Sequence, residues 1–274
     1  TTAEEQLEAL ITELRNTPDD DPDDDEIPDG ADAKGGSVVV MDVKTGRVLA
    51  CASCPTYNLS TFREDYAQLS QDPLAPMFNR ALMATYAPGS TYKMNMVIAG
   101  INAGVISSST KITDQGVYRK YSGFNPKCLT WTTSGRTHGH IDAAQALCVS
   151  CNYFFYHLAD NERLDWNVVD ATAKALGLGE KTGIELDEAV GMRANAETKA
   201  KLYKGAMASW GVGDKLNASI GQSENRLSPL QLCVYVATVA NKGKRMKATF
   251  LNRVVASDYR TLVRESSPEI MSTM

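Results

Sequence analysis

The chain has 274 residues, of which 43% are hydrophobic and 22% charged, a balance ordinary for a globular protein with a sizeable core. Its formal net charge is -5, but Asp19-Asp20-Asp21-Pro22-Asp23-Asp24-Asp25-Glu26 holds seven acids, and the remainder sums to about +2. With no basic stripe, nucleic acid is excluded as a partner. No apolar run has the length to span a bilayer, and no signal-peptide pattern opens the chain. The first residue is Thr1, so the sequence is read as an excised segment, and the missing anchor says nothing about where the parent protein resides.

The pattern predicts an amphipathic helix over 2–15, with Thr2 and Glu5 as a capping box and Leu7, Leu10, Ile11 and Leu14 on one face. The acidic tract has nothing to bury and is expected to be a disordered linker, which puts a boundary near residue 33. Ser37–Val43 and Val48–Ser53 are β-rich runs around Lys44-Thr45-Gly46, a hairpin signal, and the first run is expected to be covered on both faces. Residues 55–76 are expected to be irregular. Pro88-Gly89-Ser90 opens a helix with Met94, Val97, Ile98 and Ile101 on its buried face and Gly104 as its stop.

Two short helices are expected over 142–149 and 153–159, broken at Ser150-Cys151-Asn152. Another runs over 166–176 to Gly177. Ser228-Pro229-Leu230-Gln231 combines a cap, a proline at the first helical position and a capping-box glutamine, for a helix ending near Asn241. Residues 248–256 alternate like a strand. A hairpin, central helices and late strands imply an α+β fold, a mixed sheet flanked by helices with a helical subdomain.

Ser90-Thr91-Tyr92-Lys93 is the sharpest chemical feature. Residues three apart share a helix face, so serine and lysine meet. A serine hydroxyl needs a base to become a nucleophile. Burial and the positive end of a helix both disfavour the ammonium form of lysine, which makes Lys93 that base. Free N–H groups of the first turn offer an oxyanion donor. In Ser150-Cys151-Asn152, Ser150 is placed to relay a proton to a leaving amine, and Asn152 to hold a substrate amide and contact Lys93. The bland alternative for Ser150 is a helix cap. Lys44-Thr45-Gly46 and Lys181-Thr182-Gly183 both read as turns.

The 6 cysteines are irregularly spaced. Cys148 and Cys233 fall on apolar helical faces and are expected to be buried as small hydrophobes. Cys128, His138, His140 and Cys151 carry the donor atoms of a structural zinc site. A Cys128–Cys151 disulfide and free thiols are the competing readings.

These motifs resemble the transpeptidase domain of class B penicillin-binding proteins, especially the rod-elongation and sporulation types of Gram-positive bacteria. The resemblance spans most of residues 34–256. It runs through Gly36-Ser37-Val38-Val39-Val40-Met41-Asp42, Gly46-Arg47-Val48-Leu49-Ala50, Pro55-Thr56-Tyr57-Asn58, Asn79-Arg80-Ala81 and Tyr86-Ala87-Pro88-Gly89-Ser90-Thr91-Tyr92-Lys93. It continues through His138-Gly139, Ser150-Cys151-Asn152 with Phe154-Phe155, and Gly221-Gln222 to Arg226-Leu227-Ser228-Pro229-Leu230-Gln231.

The resemblance implies the penicillin-binding transpeptidase and serine β-lactamase-like fold over 34–274, with 1–33 ahead of it. It implies peptidoglycan crosslinking through a Ser90 acyl-enzyme, with no cofactor required. The implied partners are the D-Ala-D-Ala stem peptide, β-lactams and a membrane-embedded glycosyltransferase. The implied place is the outer face of the cytoplasmic membrane. The family's Lys-Ser/Thr-Gly strand is expected after the Ser228-Pro229 helix, and this sequence reaches Met274 without it. A β-lactam-sensing or impaired cell-wall module, and a β-lactamase, are the other readings.

Overall fold

The computed structural model describes residues 1–17, 30 and 32–274, so the acidic tract expected to be a linker lies outside the described residues. The elements in chain order are α1 Thr2–Asn16, β1 Gly36–Met41, β2 Val48–Cys54, α2 Phe62–Leu69, α3 Arg80–Met83 and, after a 3₁₀ turn at Gly89–Tyr92, α4 Lys93–Asn102. Then come β3 Lys111–Thr113, α5 Leu129–Ser134, β4 His140–Asp142, α6 Ala143–Cys148, α7 Asn152–Ala159, α8 Trp166–Ala175 and α9 Ala196–Leu202. A second 3₁₀ turn at Gly205–Ala208 leads to α10 Val212–Ser219, α11 Pro229–Ala240, β5 Lys244–Met246, β6 Arg253–Val255, β7 Leu262–Glu265 and β8 Ile270–Thr273. The expected α+β class is what is seen. The strands pair as antiparallel ladders β1–β2, β3–β4, β5–β8 and β6–β7, and the only parallel contact among the described residues is the bridge Arg47–Thr249.

Two compact units are threaded by the chain. The first comprises 1–85, 181–190 and 228–274. Its hairpin β1–β2 turns through Lys44-Thr45-Gly46, with Gly46 at φ +76°. Val39 and Met41 pack on Leu230 and Val234 of α11, while Val38 faces Leu7 and Ile11 of α1. β1 is thus covered on both faces, except at Val40, which is 44% exposed. The α11 start is as the sequence predicts: Ser228 Oγ accepts from Gln231 N, and Gln231 Oε1 from Ser228 N.

Several expectations for this unit are corrected. The capping box of α1 sits one residue earlier, with Thr1 Oγ1 bonded to Glu4 Oε2 at 2.9 Å. Only Leu7 and Ile11 are buried, while Leu10 and Leu14 are turned outward, because β1–β2 offers α1 one narrow apolar strip. Residues 55–76 are not wholly irregular: α2 forms there, with Glu64 and Asp65 in its first turn and Phe62 against Tyr57 and Tyr66. The alternating run 248–256 yields only β6, because Glu185 Oε2 accepts from Phe250 N at 2.9 Å and Thr249 Oγ1 from Leu251 N at 3.0 Å.

The second unit comprises 86–180 and 191–227, and is helical apart from the β3–β4 pair. α4 packs against α6, α7 and α8. Its buried face is Lys93, Asn95, Met96, Ala99 and Gly100, not the predicted Met94–Ile101 stripe, and Ile101 is exposed. Gly100 explains the rotation: a Cβ there would sit 3.1–3.2 Å from Ile106 and Leu158, so the backbone itself is the contact surface. Gly104 and Gly177 end their helices at φ +64° and +94°, as predicted.

Candidate active site

α6 begins at the capping box of Asp142 and Gln145 and ends where Ser150 N donates to Leu147 O and Cys151 N to Ala146 O. That bonding pattern normally places glycine at its left-handed position. Here the position is Ser150, at φ +52°. The left-handed backbone costs a non-glycine residue about 1–2 kcal/mol. It ends α6, starts α7 two residues later, and faces the Ser150 side chain toward the first turn after Pro88.

Ser90 lies in that turn. Thr91 Oγ1 donates to Pro88 O at 2.7 Å, and Gly89 N donates to Gly221 O at 3.1 Å. Ser90 and Ser150 are both exposed, and their Oγ atoms are 2.9 Å apart. Lys93 is buried, only 1% exposed. Its Nζ donates to Ser150 O at 2.9 Å and Asn152 Oδ1 at 2.6 Å, lies 3.1 Å from Ser150 Oγ, and sits 5.3 Å from the Phe155 ring centroid. The structure thus brings together Ser90, Lys93, Ser150 and Asn152. Among the described residues the link from Ser90 to Lys93 runs through Ser150 Oγ, not by the direct contact the three-residue spacing suggests. Burial lowers the Lys93 ammonium from 10.5 to about 8, although the neighbouring Cys128 and Cys151 raise it.

A second cluster lies one residue from this site. Asp114, Cys128, His138 and Cys151 place one donor atom each within 4.8 Å of one another. Cys128 Sγ is 3.7 Å from His138 Nδ1 and 4.0 Å from Cys151 Sγ, and His138 Nδ1 is 2.9 Å from Asp114 Oδ2. The predicted quartet is therefore corrected in one member. His140 is exposed on β4, with Nδ1 on Thr113 Oγ1 at 2.9 Å, because its cross-strand partner is Thr113.

Asp114 takes its place and was missed from sequence. Its only advance signal is an Asx turn, Oδ1 accepting from Gly116 N. The Cys128 thiol is pulled down, first by its hydrogen bond with Cys151 and then by the backbone N–H groups of Tyr153 and Asn152. Cys151 is pushed up by the same contact. Cys148 is exposed rather than buried, because α6 turns it away from α4, and Cys233 is half-buried.

The chain belongs to the penicillin-binding protein transpeptidase domain family, whose pattern matches residues 36–272. It is similar to the peptidoglycan D,D-transpeptidase MrdA of Acinetobacter baumannii, at 33% identity over 217 residues, 77% of this chain and 31% of that protein. The penicillin-binding protein PBP2 of Helicobacter pylori matches its fold with a TM-score of 0.73 at 25% identity, over 87% of this chain and 42% of the other. PBP2 of Pseudomonas aeruginosa gives 0.73 at 27%, over 88% and 53%. The chain therefore spans about a third of the length of the curated MrdA relative. Among the described residues no helix is long and apolar enough to cross a membrane.

Proposed function

We propose that this chain is the acyl-transfer part of a peptidoglycan D,D-transpeptidase, with Ser90 as nucleophile. We read residues 34–274 as the transpeptidase domain, and α1, ahead of it in sequence, packs on β1–β2 as part of the first compact unit. The observation that carries the reading is the hydrogen-bonded line from exposed Ser90 through Ser150 to Lys93, whose pKa burial lowers to about 8.

As Ser90 Oγ attacks the carbonyl carbon of the penultimate D-Ala, its proton passes to Ser150 Oγ and the Ser150 proton to neutral Lys93. Asn152 Oδ1 and Ser150 O hold two Nζ–H groups, which leaves the amine lone pair for Ser150 Oγ. The Ser90 N–H, in the first helical turn, is an oxyanion donor. Collapse breaks the C–N bond, and D-Ala leaves as an amine with the proton returned through Ser150. The amine of a neighbouring stem peptide then attacks the ester, forming the crosslink and freeing Ser90. A β-lactam acylates the same oxygen but has no separate leaving amine to depart.

The relative's name, peptidoglycan D,D-transpeptidase, supports the substrate; the membrane-anchored parent outside the cytoplasm and the membrane glycosyltransferase partner rest on the family resemblance. Labelling with a fluorescent penicillin, followed by mass spectrometry, tests the assignment. Label on Ser90 is expected, and none there overturns it. Fast release of the label marks a β-lactamase instead.

The chemistry at Ser90 needs no metal. The neighbouring donor set nonetheless fits structural zinc. Two thiolates on tetrahedral zinc stand about 3.8 Å apart, from Zn–S bonds of about 2.3 Å, close to the 4.0 Å between Cys128 and Cys151. Thr130 Oγ1, 3.0 Å from His138 Nε2, fixes the ring for Nδ1 coordination. One zinc per chain by elemental analysis, lost in Cys128→Ser, is expected. Metal-free protein with an intact Cys128–Cys151 disulfide refutes it.

A further inference from the structure

Away from Ser90, the second unit holds a cavity of about 640 Å³, within the roughly 300–1,000 Å³ typical of small-ligand sites. One wall is formed by Tyr153 and His157 of α7 with Asp160 just past its end, and the other is the segment from Gln115 to Lys120. Asp160 fastens the two together. It accepts from Tyr118 Oη and Tyr121 Oη at 2.6 Å each and pairs with Lys120 Nζ at 2.8 Å. Burial alone would raise the Asp160 carboxyl, but these three donors hold it below the usual range. Tyr153 Oη reaches Gln115 Oε1 at 3.2 Å and its ring meets Tyr118 at 5.5 Å.

The groups left for a ligand are cationic. Arg119 is exposed and has no hydrogen bond or ion pair among the described residues. Arg163 spends one Nη2 donor on Gly104 O and keeps the rest of its fork. With Lys120 and Asp160 neutralising each other, these two guanidinium groups exceed Glu162 by one charge. Guanidinium forks match carboxylates in bidentate geometry. The tyrosine rings are 5% and 6% exposed, which leaves no aromatic face for a sugar to stack on.

We propose that this cavity is a second binding site, taking a short peptide that carries carboxylates. The source of the peptide rests on the Ser90 reading above. From Asn152 to Asp160, α7 advances about 12 Å at 1.5 Å per residue. An extended peptide covers that distance in about four residues. A stem peptide held by its end at Ser90 therefore brings upstream acidic residues to Arg119 and Arg163, which select acidic stems.

The test is fluorescence anisotropy of the 274-residue chain with a labelled, C-terminally amidated pentapeptide bearing two glutamates, against its glutamine counterpart. The glutamate peptide is expected to bind at least tenfold tighter at low salt, and to keep binding after Ser90 has been acylated by penicillin. Combined Arg119→Gln and Arg163→Gln substitutions remove the difference, leave penicillin labelling of Ser90 unchanged, and are rescued in part by lysine at both positions. Equal affinity for the two peptides, or unchanged binding to the double variant, overturns the proposal. So does loss of binding on acylation, which puts the peptide at Ser90 instead. Failure of the Ser90 reading shows separately, as absent penicillin label.

Discussion

Gly221→Ala tests whether the position of Ser90 depends on a close approach of two backbone segments. A Cβ on Gly221 would fall 2.0 Å from Gly89 O, 2.6 Å from Gly89 N and 2.7 Å from Gly89 C. Ordinary carbon contacts are about 3.5–4.0 Å, so the segments must part by roughly 1 Å or more. Gly221 also sits at φ +76°, which costs an alanine about 1–2 kcal/mol before any clash. Gly89 immediately precedes Ser90, and a 1 Å misplacement near reacting atoms costs on the order of 10²-fold. The second-order rate of Ser90 acylation by a fluorescent penicillin should therefore fall about a hundredfold, with a lowered Tm. Gly123→Ala is the control: φ is +79°, but nothing lies within 4 Å of its added Cβ. It should cost only the backbone term and leave acylation intact. Wild-type acylation by Gly221→Ala, or an equal loss in Gly123→Ala, would refute the reasoning.

In the proposed mechanism Lys93 reacts as the neutral amine; since burial lowers its pKa to about 8, acylation should rise about tenfold per pH unit below 8 and level off above it. A flat profile between pH 6 and 9 contradicts that role. Lys93→Arg, which cannot lose a proton in this range, should acylate at least about 10²-fold more slowly, measured with the same penicillin. In α1, Leu7→Ala should cost about 2–5 kcal/mol by denaturant unfolding and exposed Leu10→Ala no more than about 0.5. Equal effects would mean that the helix packs on a different face.

What the sequence announces well here is local hydrogen bonding. Ser228-Pro229 with Gln231, and the glycines after α4 and α8, place helix ends because their chemistry acts within four residues. The break at Ser150 was equally visible, although its left-handed backbone was not, since serine rarely occupies that conformation. Faces were harder. The predicted stripe of α4 counts apolar side chains, but the buried side is defined by Lys93 and Gly100, neither of which scores as hydrophobic. α5 and α9 lack apolar periodicity and are invisible for that reason, whereas α10 carries Val212, Leu216 and Ile220 at a four-residue spacing that was passed over. The proposed nucleophile, base and relay are legible as a motif. Asp114 was not, because it reaches the metal-type cluster through the β3–β4 register, a pairing with no signature at either strand alone.

The threading of the chain has a consequence for biosynthesis. Residues 181–190 belong with the first unit, where Ala189 N bonds to Leu82 O and Glu188 accepts from Thr182 N, yet the second unit closes only with 191–227. A growing chain therefore cannot finish either unit before starting the other. Ser90, Lys93, Ser150 and Asn152 all emerge from the ribosome before Gly221, whose contact with Gly89 holds the turn that carries Ser90. The turn that carries Ser90 thus waits for residue 221 to be made, and a chain cut before residue 221 should not be labelled by penicillin.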